Sequence, residues 1–289
     1  MMWTNSQKLR ELLARKRILI APGAHDALTA RMIEKIGFEA VYMSGSGTVS
    51  ALTALPDNGT ATMTEMVLNA RYIVQATSLP VFADADYGYG EASNVIRTIW
   101  EYERAGVTGV HIEDQAPPKR CGHLEGVRVI SQEKMVGKIR AACTARNDPN
   151  FVIIGRTDSR AAISFDEAVK RGRAYLEAGA DVIMPDALQS EAEFREYAKA
   201  VKGNLLADMT EFGKSPFLTA EQFEQMGYKI VIFPVGAMRV ALKATWEFLT
   251  TLKNKGTQKE IIDRMFTRKE LYELLDYEKF KGYERDFDR

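Results

Sequence analysis

Residues 151–187 read FVIIGRTDSRAAISFDEAVKRGRAYLEAGADVIMPDA. A continuous apolar run opens the stretch and ends in Arg156, Thr157 and Asp158. An amphipathic segment, "FDEAVKRGRAYLEAGA", follows and closes on glycine. A second apolar run, "DVIMPDA", then ends in Asp186. Glycine just past an amphipathic segment is the usual helix stop. Apolar strands without alternation, separated by helices, form a parallel sheet covered on both faces.

The same unit recurs through the chain. "ILIAPGAHD", "AVYMSGSG", "VFADADYG", "GVHIEDQ", "LLADMTE" and "KIVIFPV" are further apolar runs with polar ends. "MTEMVLNARYIVQAT" and "NVIRTIWEYERAG" are helix-like spacers. About eight such units predict an α/β fold of the (β/α)8, TIM-barrel type rather than an open sheet. With no low-complexity linker, residues 1–289 are expected to form a single barrel domain. It includes a charged helical extension from about 257 to 289, whose apolar positions need the barrel exterior or another subunit.

Composition excludes several function classes. Lys plus Arg and Asp plus Glu each number 39, so there is no electrostatic case for nucleic acid or a membrane surface. The apolar runs are far shorter than the ~18 residues of a membrane span. The start, "MMWTNSQKLRELLARKR", is too charged for a secretory signal. Two cysteines without such a signal fit a reduced, cytoplasmic setting, where the sequon at Asn58 is a chance match.

In a barrel, strand C-termini and the loops after them converge on one mouth. Asp84 and Asp86 in "VFADADYG" are two apart, so an extended strand turns both to one side. They are either a solvated strand end or, with Asp57 and Glu113, an oxygen-ligand site for a hard cation. Mg²⁺ suits it, and Mn²⁺ would be tolerated. Ser44, Gly45 and Ser46 are a common turn or a place where a ligand oxygen meets backbone N–H groups. Arg156 either clamps a substrate carboxylate or pairs with Asp158 or Asp186.

The stretch "PPKRCGHLEG", residues 117–126, sets Cys121 among Lys119, Arg120, Gly122 and His123. A lone cysteine is ordinarily inert packing. Flanking cations favour a reactive thiolate or a thiol acid instead. Cys143, in "KIRAACTAR", is expected in the core. His25 and His111 are expected to be hydrogen-bonded structural groups.

With these residues in hand, the chain resembles the isocitrate lyase/phosphoenolpyruvate mutase superfamily. The likeness runs from "IAPGAHDALTARMIEKIGFEAVYMSGSG" to the terminal helix, and "KRCGH", residues 119–123, marks the lyase branch. The resemblance implies Mg²⁺ held by Asp84, with Asp57, Asp86 and Glu113 acting directly or through water. It implies that Ser44, Gly45 and Ser46 hold the carboxylate of a 2-oxo acid product, and that Gly122 and His123 take the second carboxylate. Asp186, Asp208 and Thr210 stand at further substrate-binding positions. Catalytic roles fall to Cys121, as the acid that protonates the leaving carbanion, and to Arg156 and Glu113. A homotetramer exchanging C-terminal helices is implied as well.

Three departures shape the expected substrate. Leu124 follows the motif where related lyases continue with Arg. Asp186 replaces a Glu, and Asp208 replaces an Asn. These changes argue against a third substrate carboxylate. They favour a methylated malate, 2,3-dimethylmalate giving pyruvate and propionate, over 2-methylisocitrate giving pyruvate and succinate. Oxaloacetate hydrolysis ranks third, because such hydrolases tend to carry Ser where Pro234 stands.

Overall fold

The computed structural model describes residues 4–287. Its strands are β1 Leu19–Ala24, β2 Val41–Met43, β3 Val81–Asp84, β4 Gly109–Glu113, β5 Val152–Thr157, β6 Val182–Pro185, β7 Asn204–Asp208 and β8 Ile230–Phe233. Each lies within one of the apolar runs or begins one residue before it. All pair in parallel in chain order, and β8 pairs with β1, so the sheet closes into the expected barrel.

Helix α1, Asn5–Ala14, precedes β1, and α2, Ala27–Ile36, follows it. Next come α3 Gly45–Thr53, α4 Met63–Ala76, α5 Ala92–Ala105, α6 Gln132–Ala145, α7 Ser159–Ala162 and α8 Phe165–Glu177. The series ends with α9 Glu191–Ala200, α10 Ala220–Met226, α11 Gly236–Lys255, α12 Arg268–Leu274 and α13 Tyr277–Phe287. Local chemistry sets many ends. Thr62 and Glu65 form a capping box at the start of α4, and Gly106 stops α5 in the left-handed region at φ 88°.

Two apolar layers hold the barrel. The inner one joins Leu19, Tyr42, Phe82, Val152, Ile154, Met184, Leu206 and Ile232 with Leu9 and Leu13 of α1. Arg10 of α1 donates to Asn150 O and Phe151 O, just at and before the start of β5, so α1 covers the N-terminal end. The outer layer lies between sheet and helices.

Side chains on a strand alternate between faces. Two residues beyond the inward Tyr42, Phe82, Ile154, Met184 and Leu206 stand Ser44, Asp84, Arg156, Asp186 and Asp208. His111, bonded to Tyr42, precedes Glu113 by the same step. One periodicity therefore carries polar side chains of six neighbouring strands to the C-terminal mouth. Asp86 arrives differently from the sequence expectation. Strand β3 ends at Asp84, and Asp86 turns back at φ 47°, its N–H donating to Asp84 Oδ1 at 2.8 Å.

The chain divides into two compact units, Met1–Ala237 and Met238–Arg289. The division falls near the start of α11, well ahead of residue 257. In the second unit, Arg264 pairs with Glu247 at 2.6 Å, and Tyr272 stacks on Tyr277 at 4.6 Å. Helix α11 buries none of its residues, and Val240, Trp246, Phe266 and Phe280 are all more than half exposed. Apolar side chains at this density need a cover. A chain ended before Thr257 is expected to sediment as a smaller species and melt below the full chain. Equal sedimentation and melting would show that the tail covers nothing.

Candidate active site

Four carboxylates surround one ammonium at the mouth. Lys119 Nζ hydrogen-bonds Asp86 Oδ1 and lies 2.9 Å from Asp57 Oδ1, an ion pair outside hydrogen-bond geometry. Asp84 and Glu113 complete the ring of charges acting on it. Burial alone would lower Lys119, but these carboxylates outweigh it and hold the ammonium far above its ordinary range. Burial would raise Asp84; Lys119, Arg156 and the Asp86 N–H oppose it, and the carboxyl ends below its ordinary value. His111 contributes little to that balance at neutral pH. Burial pushes its imidazole down to about 4, and its Nε2 meets the Tyr42 hydroxyl at 2.8 Å. Asp86 is pushed up to about 6, mainly by burial and despite Lys119. Burial also holds Glu113 well above the carboxylate range. Its Oε1 has no hydrogen-bond partner, and its Oε2 is 3.4 Å from Arg156 Nε.

Ser44 caps α3, its Oγ accepting from Gly47 N at 3.1 Å. The helix thus aims its first N–H groups at the mouth. A Cβ on Gly45 would lie 2.1 Å from Asp84 Oδ2, so only glycine lets that carboxylate sit against the helix start.

Across the mouth, Arg156 binds two aspartates through Nε and Nη2. Its Nε and Nη2 donate to the two oxygens of Asp158 at 2.9 Å, and Nη2 also reaches Asp186 Oδ2 at 3.0 Å. Both aspartates expected as ion-pair partners of Arg156 are therefore in contact with it. Asp158 falls below its ordinary value because those bonds overcome burial. Asp186 and Asp208 are each pushed up to about 7, chiefly by burial. One oxygen on each, Oδ1, is buried without a partner.

The 119–123 segment links the two halves. Gln115 accepts from Arg120 N at 2.9 Å, while its Nε2 donates to Arg120 O and to Asp158 Oδ1. A Cβ on Gly122 would lie 1.8 Å from Asp186 Oδ2, so the backbone crosses directly over that carboxylate. His123 Nδ1 accepts from Lys214 N at 3.0 Å. Its Nε2 therefore carries the hydrogen and lies 3.8 Å from Asp186 Oδ1. Cys121 is exposed. Its thiol is raised by partial burial, with Asp186 and Asp208 adding to that. Of the two forms expected, thiolate or thiol acid, this environment favours the thiol. Lys119 is spent on the carboxylates, Arg120 Nη1 turns to Glu125 O, and burial keeps His123 neutral. What remains is the thiol acid.

Other expectations fare unevenly. Cys143 is half-buried, donating to Gly179 O, rather than fully in the core. Leu124 is 58 % exposed, so it is no wall of a substrate pocket. Thr210 is half-buried beside Asp208 in sequence, just past β7. Gln115 and the buried seat of Lys119 were not anticipated. A lysine preceding an exposed cysteine reads as a solvated charge, and only its partners show otherwise.

Comparison with known proteins agrees with this geometry. The phosphoenolpyruvate phosphomutase family pattern matches residues 9–253. A 2-methylisocitrate lyase of Aeropyrum pernix is 48% identical over 281 residues, spanning 97% of this chain and 90% of that protein. The chain belongs to the phosphoenolpyruvate mutase/isocitrate lyase superfamily. It is an enzyme of that superfamily's carbon–carbon lyase type. A 2,3-dimethylmalate lyase of Eubacterium barkeri is 46% identical over 280 residues, 97% of each chain. Among solved structures, oxaloacetate acetylhydrolase with the inhibitor 3,3-difluorooxalacetate superimposes with a TM-score of 0.93. It is 33% identical, over 98% of this chain and 97% of that one.

Two clusters in this superfamily member bear on a divalent cation. His123, Asp186 and Asp208 bring ligand atoms within 4.8 Å of one another. The Lys214 N–H on Nδ1 leaves Nε2 protonated, however, and a protonated nitrogen cannot ligate. Asp57, Asp84, Asp86 and Glu113 fit better. They are all oxygen donors, Glu113 Oε1 and Asp57 Oδ1 lack hydrogen-bond partners, and a cation already sits among them. Asp84→Ala is expected to abolish metal-dependent turnover, as is excess chelator on the unmodified enzyme. Full activity in either assay would remove the metal from this site.

Proposed function

We propose that the chain is a Mg²⁺-dependent lyase of small 2-hydroxydicarboxylates, with 2,3-dimethylmalate split to pyruvate and propionate as the preferred reaction. One observation carries the reading. The 119–123 segment touches both halves of the mouth, Lys119 in the acidic ring and Gly122 over Asp186, so the Cys121 thiol lies between them. Bound Mg²⁺ would be held by Asp84 with Asp57, Asp86 and Glu113, and would polarise the hydroxyl and carboxylate of the substrate. The N–H groups of Gly45 and Ser46 at the start of α3 hold that carboxylate. His123 Nε2–H and the Gly122 backbone face the second one.

Glu113 takes the hydroxyl proton from its ionised form, which Arg156, Lys119 and a bound cation would favour, and burial raises its affinity for that proton. The C2–C3 bond then breaks, the oxygen becoming the ketone of pyruvate and the electron pair passing to C3. That fragment is the aci-form of propionate. Cys121 Sγ–H delivers a proton to C3, and the thiolate is reprotonated from solvent or from the Glu113 proton. Arg156, tied to Asp158 and Asp186, holds the floor of this half in place and balances its charge. The exposed apolar face of α11 supports a homotetramer with exchanged C-terminal helices.

Cys121→Ser is expected to lower turnover by ~10²–10⁴-fold, the range for a lost general acid, while pyruvate and Mg²⁺ still bind. Cys143→Ser should leave turnover unchanged. Normal turnover by Cys121→Ser would return the thiol to a packing role. Substrate choice is checked separately by the 2-oxo acid released from a panel of methylmalates, 2-methylisocitrate and oxaloacetate. Arg156 is already shared by two aspartates, and among the described residues Lys214, near His123, donates to Leu124 O, so a third substrate carboxylate would meet Asp208 and Asp186. An unpaired buried charge costs about 3–5 kcal/mol, so kcat/KM should favour 2,3-dimethylmalate by at least about a hundredfold. A higher value for 2-methylisocitrate would reverse the choice of substrate and leave the lyase chemistry standing.

A further inference from the structure

Three buried polar atoms without hydrogen-bond partners converge beside the 119–123 segment: His123 Nε2, Asp186 Oδ1 and Asp208 Oδ1. The His123 side chain is 7% exposed and that of Asp186 is fully buried. Unpaired polar atoms at this depth are costly, and native proteins retain them where a water, an ion or a functional role accounts for them. Two carboxylates so close do not both stay ionised without a cation. The cation at hand, Arg156, donates to Asp158 and to the far oxygen of Asp186, leaving the near oxygens unanswered. We propose that Asp186 and Asp208 carry one proton between them, and that Asp208 presents it, beside the Nε2–H of His123, to the second carboxylate of the substrate. A protonated carboxyl then acts as a specificity-determining hydrogen-bond donor in an otherwise acidic subsite. This rests on the 2-hydroxydicarboxylate reading for the identity of the ligand, though not for the proton.

The surroundings favour keeping that proton. Asp208 faces Asp186, His123, Arg156 and Glu211, and its charge also acts on Tyr42. Asp186 faces Arg156, Asp158 and His123. The Cys121 thiol senses both aspartates, and Lys214 lies near His123. Among these, Arg156 favours ionisation, and Asp158, Glu211 and the mutual repulsion of the pair oppose it. Burial decides the balance and pushes both carboxyls up to about 7. The subsite is thus a donor below that pH and loses its proton above it.

The decisive variant is Asp208→Asn, whose amide is a donor at every pH and nearly isosteric with the protonated acid. In the unmodified enzyme, kcat/KM for 2,3-dimethylmalate should fall about tenfold per pH unit above neutrality, through KM rather than kcat. Asp208→Asn should abolish that limb and keep kcat/KM near pH 6.5 within about tenfold. A variant inactive at every pH, or an unmodified enzyme whose KM ignores pH, would overturn the proposal. Infrared spectra without substrate supply a second readout. In the difference between the unmodified chain and Asp208→Asn, which cancels the bands of Glu113 and other buried carboxyls, a protonated carboxylic-acid carbonyl band should be present near pH 6 and titrate away toward pH 8.5. If no such band exists, the shared proton is wrong whatever the substrate. If the band behaves as expected but no methylmalate is cleaved, the proton stands and the substrate assignment falls.

Discussion

Charge balance at the mouth governs this site. Asp57, Asp84, Asp86 and Glu113 crowd one side, and Asp158, Asp186 and Asp208 the other; Lys119 and Arg156 are the cations set among them. Water cannot solvate carboxylates at this depth, so each must be paired, protonated or bound to a metal. The first two outcomes account for most of these groups. Asp84 and Asp158 lie next to cations or N–H donors and stay ionised. Glu113, Asp186 and Asp208 are held toward the protonated form by burial. The ring around Lys119 has more negative charge than one ammonium answers, which is where a divalent cation gains most.

The barrel makes this crowding possible. A strand of period two inside a closed parallel sheet has no choice about which residues point inward. Once Phe82, Ile154, Met184 and Leu206 fill the interior, the next inward positions are Asp84, Arg156, Asp186 and Asp208. Loops then supply what strands cannot. Asp86 reaches the site only through a left-handed turn, and Gly45 and Gly122 let backbone approach a carboxylate more closely than any side chain permits. Replacing either glycine would displace an acidic group, not merely fill space.

Much of the fold was legible before any coordinates. Apolar runs mark strands because a sheet buried on both faces tolerates no alternation, and that signal is strong in "FVIIGRTD" and "DVIMPDA". Strand ends were equally readable, since a charged residue closing such a run has few places to go except the mouth. Pairings across loops were not. Gln115 anchoring Arg120, Lys119 reaching Asp86, and the Lys214 N–H setting the His123 tautomer all join residues whose spacing in the chain carries no periodic signal. The choice between thiolate and thiol at Cys121 was open for a related reason. Neighbours in sequence suggested cations around the thiol, whereas the side chains of Lys119, Arg120 and His123 bond to other groups.

For the proposed reaction a thiol serves better than a thiolate. A thiolate at Cys121 would be a nucleophile with no proton to give, and the carbanion released by C–C cleavage needs a proton. Burial and the nearby aspartates keep Sγ–H intact at neutral pH, while Glu113 on the other side of the mouth is raised toward the proton affinity of a base. The same scarcity of cations produces both effects. An environment that opposes new negative charge makes the acid hold its proton until a stronger base, the aci-carboxylate, arrives. It also raises the affinity of Glu113, across the mouth, for a proton. In the proposed mechanism one field therefore tunes both the acid, Cys121 within the 119–123 segment, and the base, Glu113 at the end of β4.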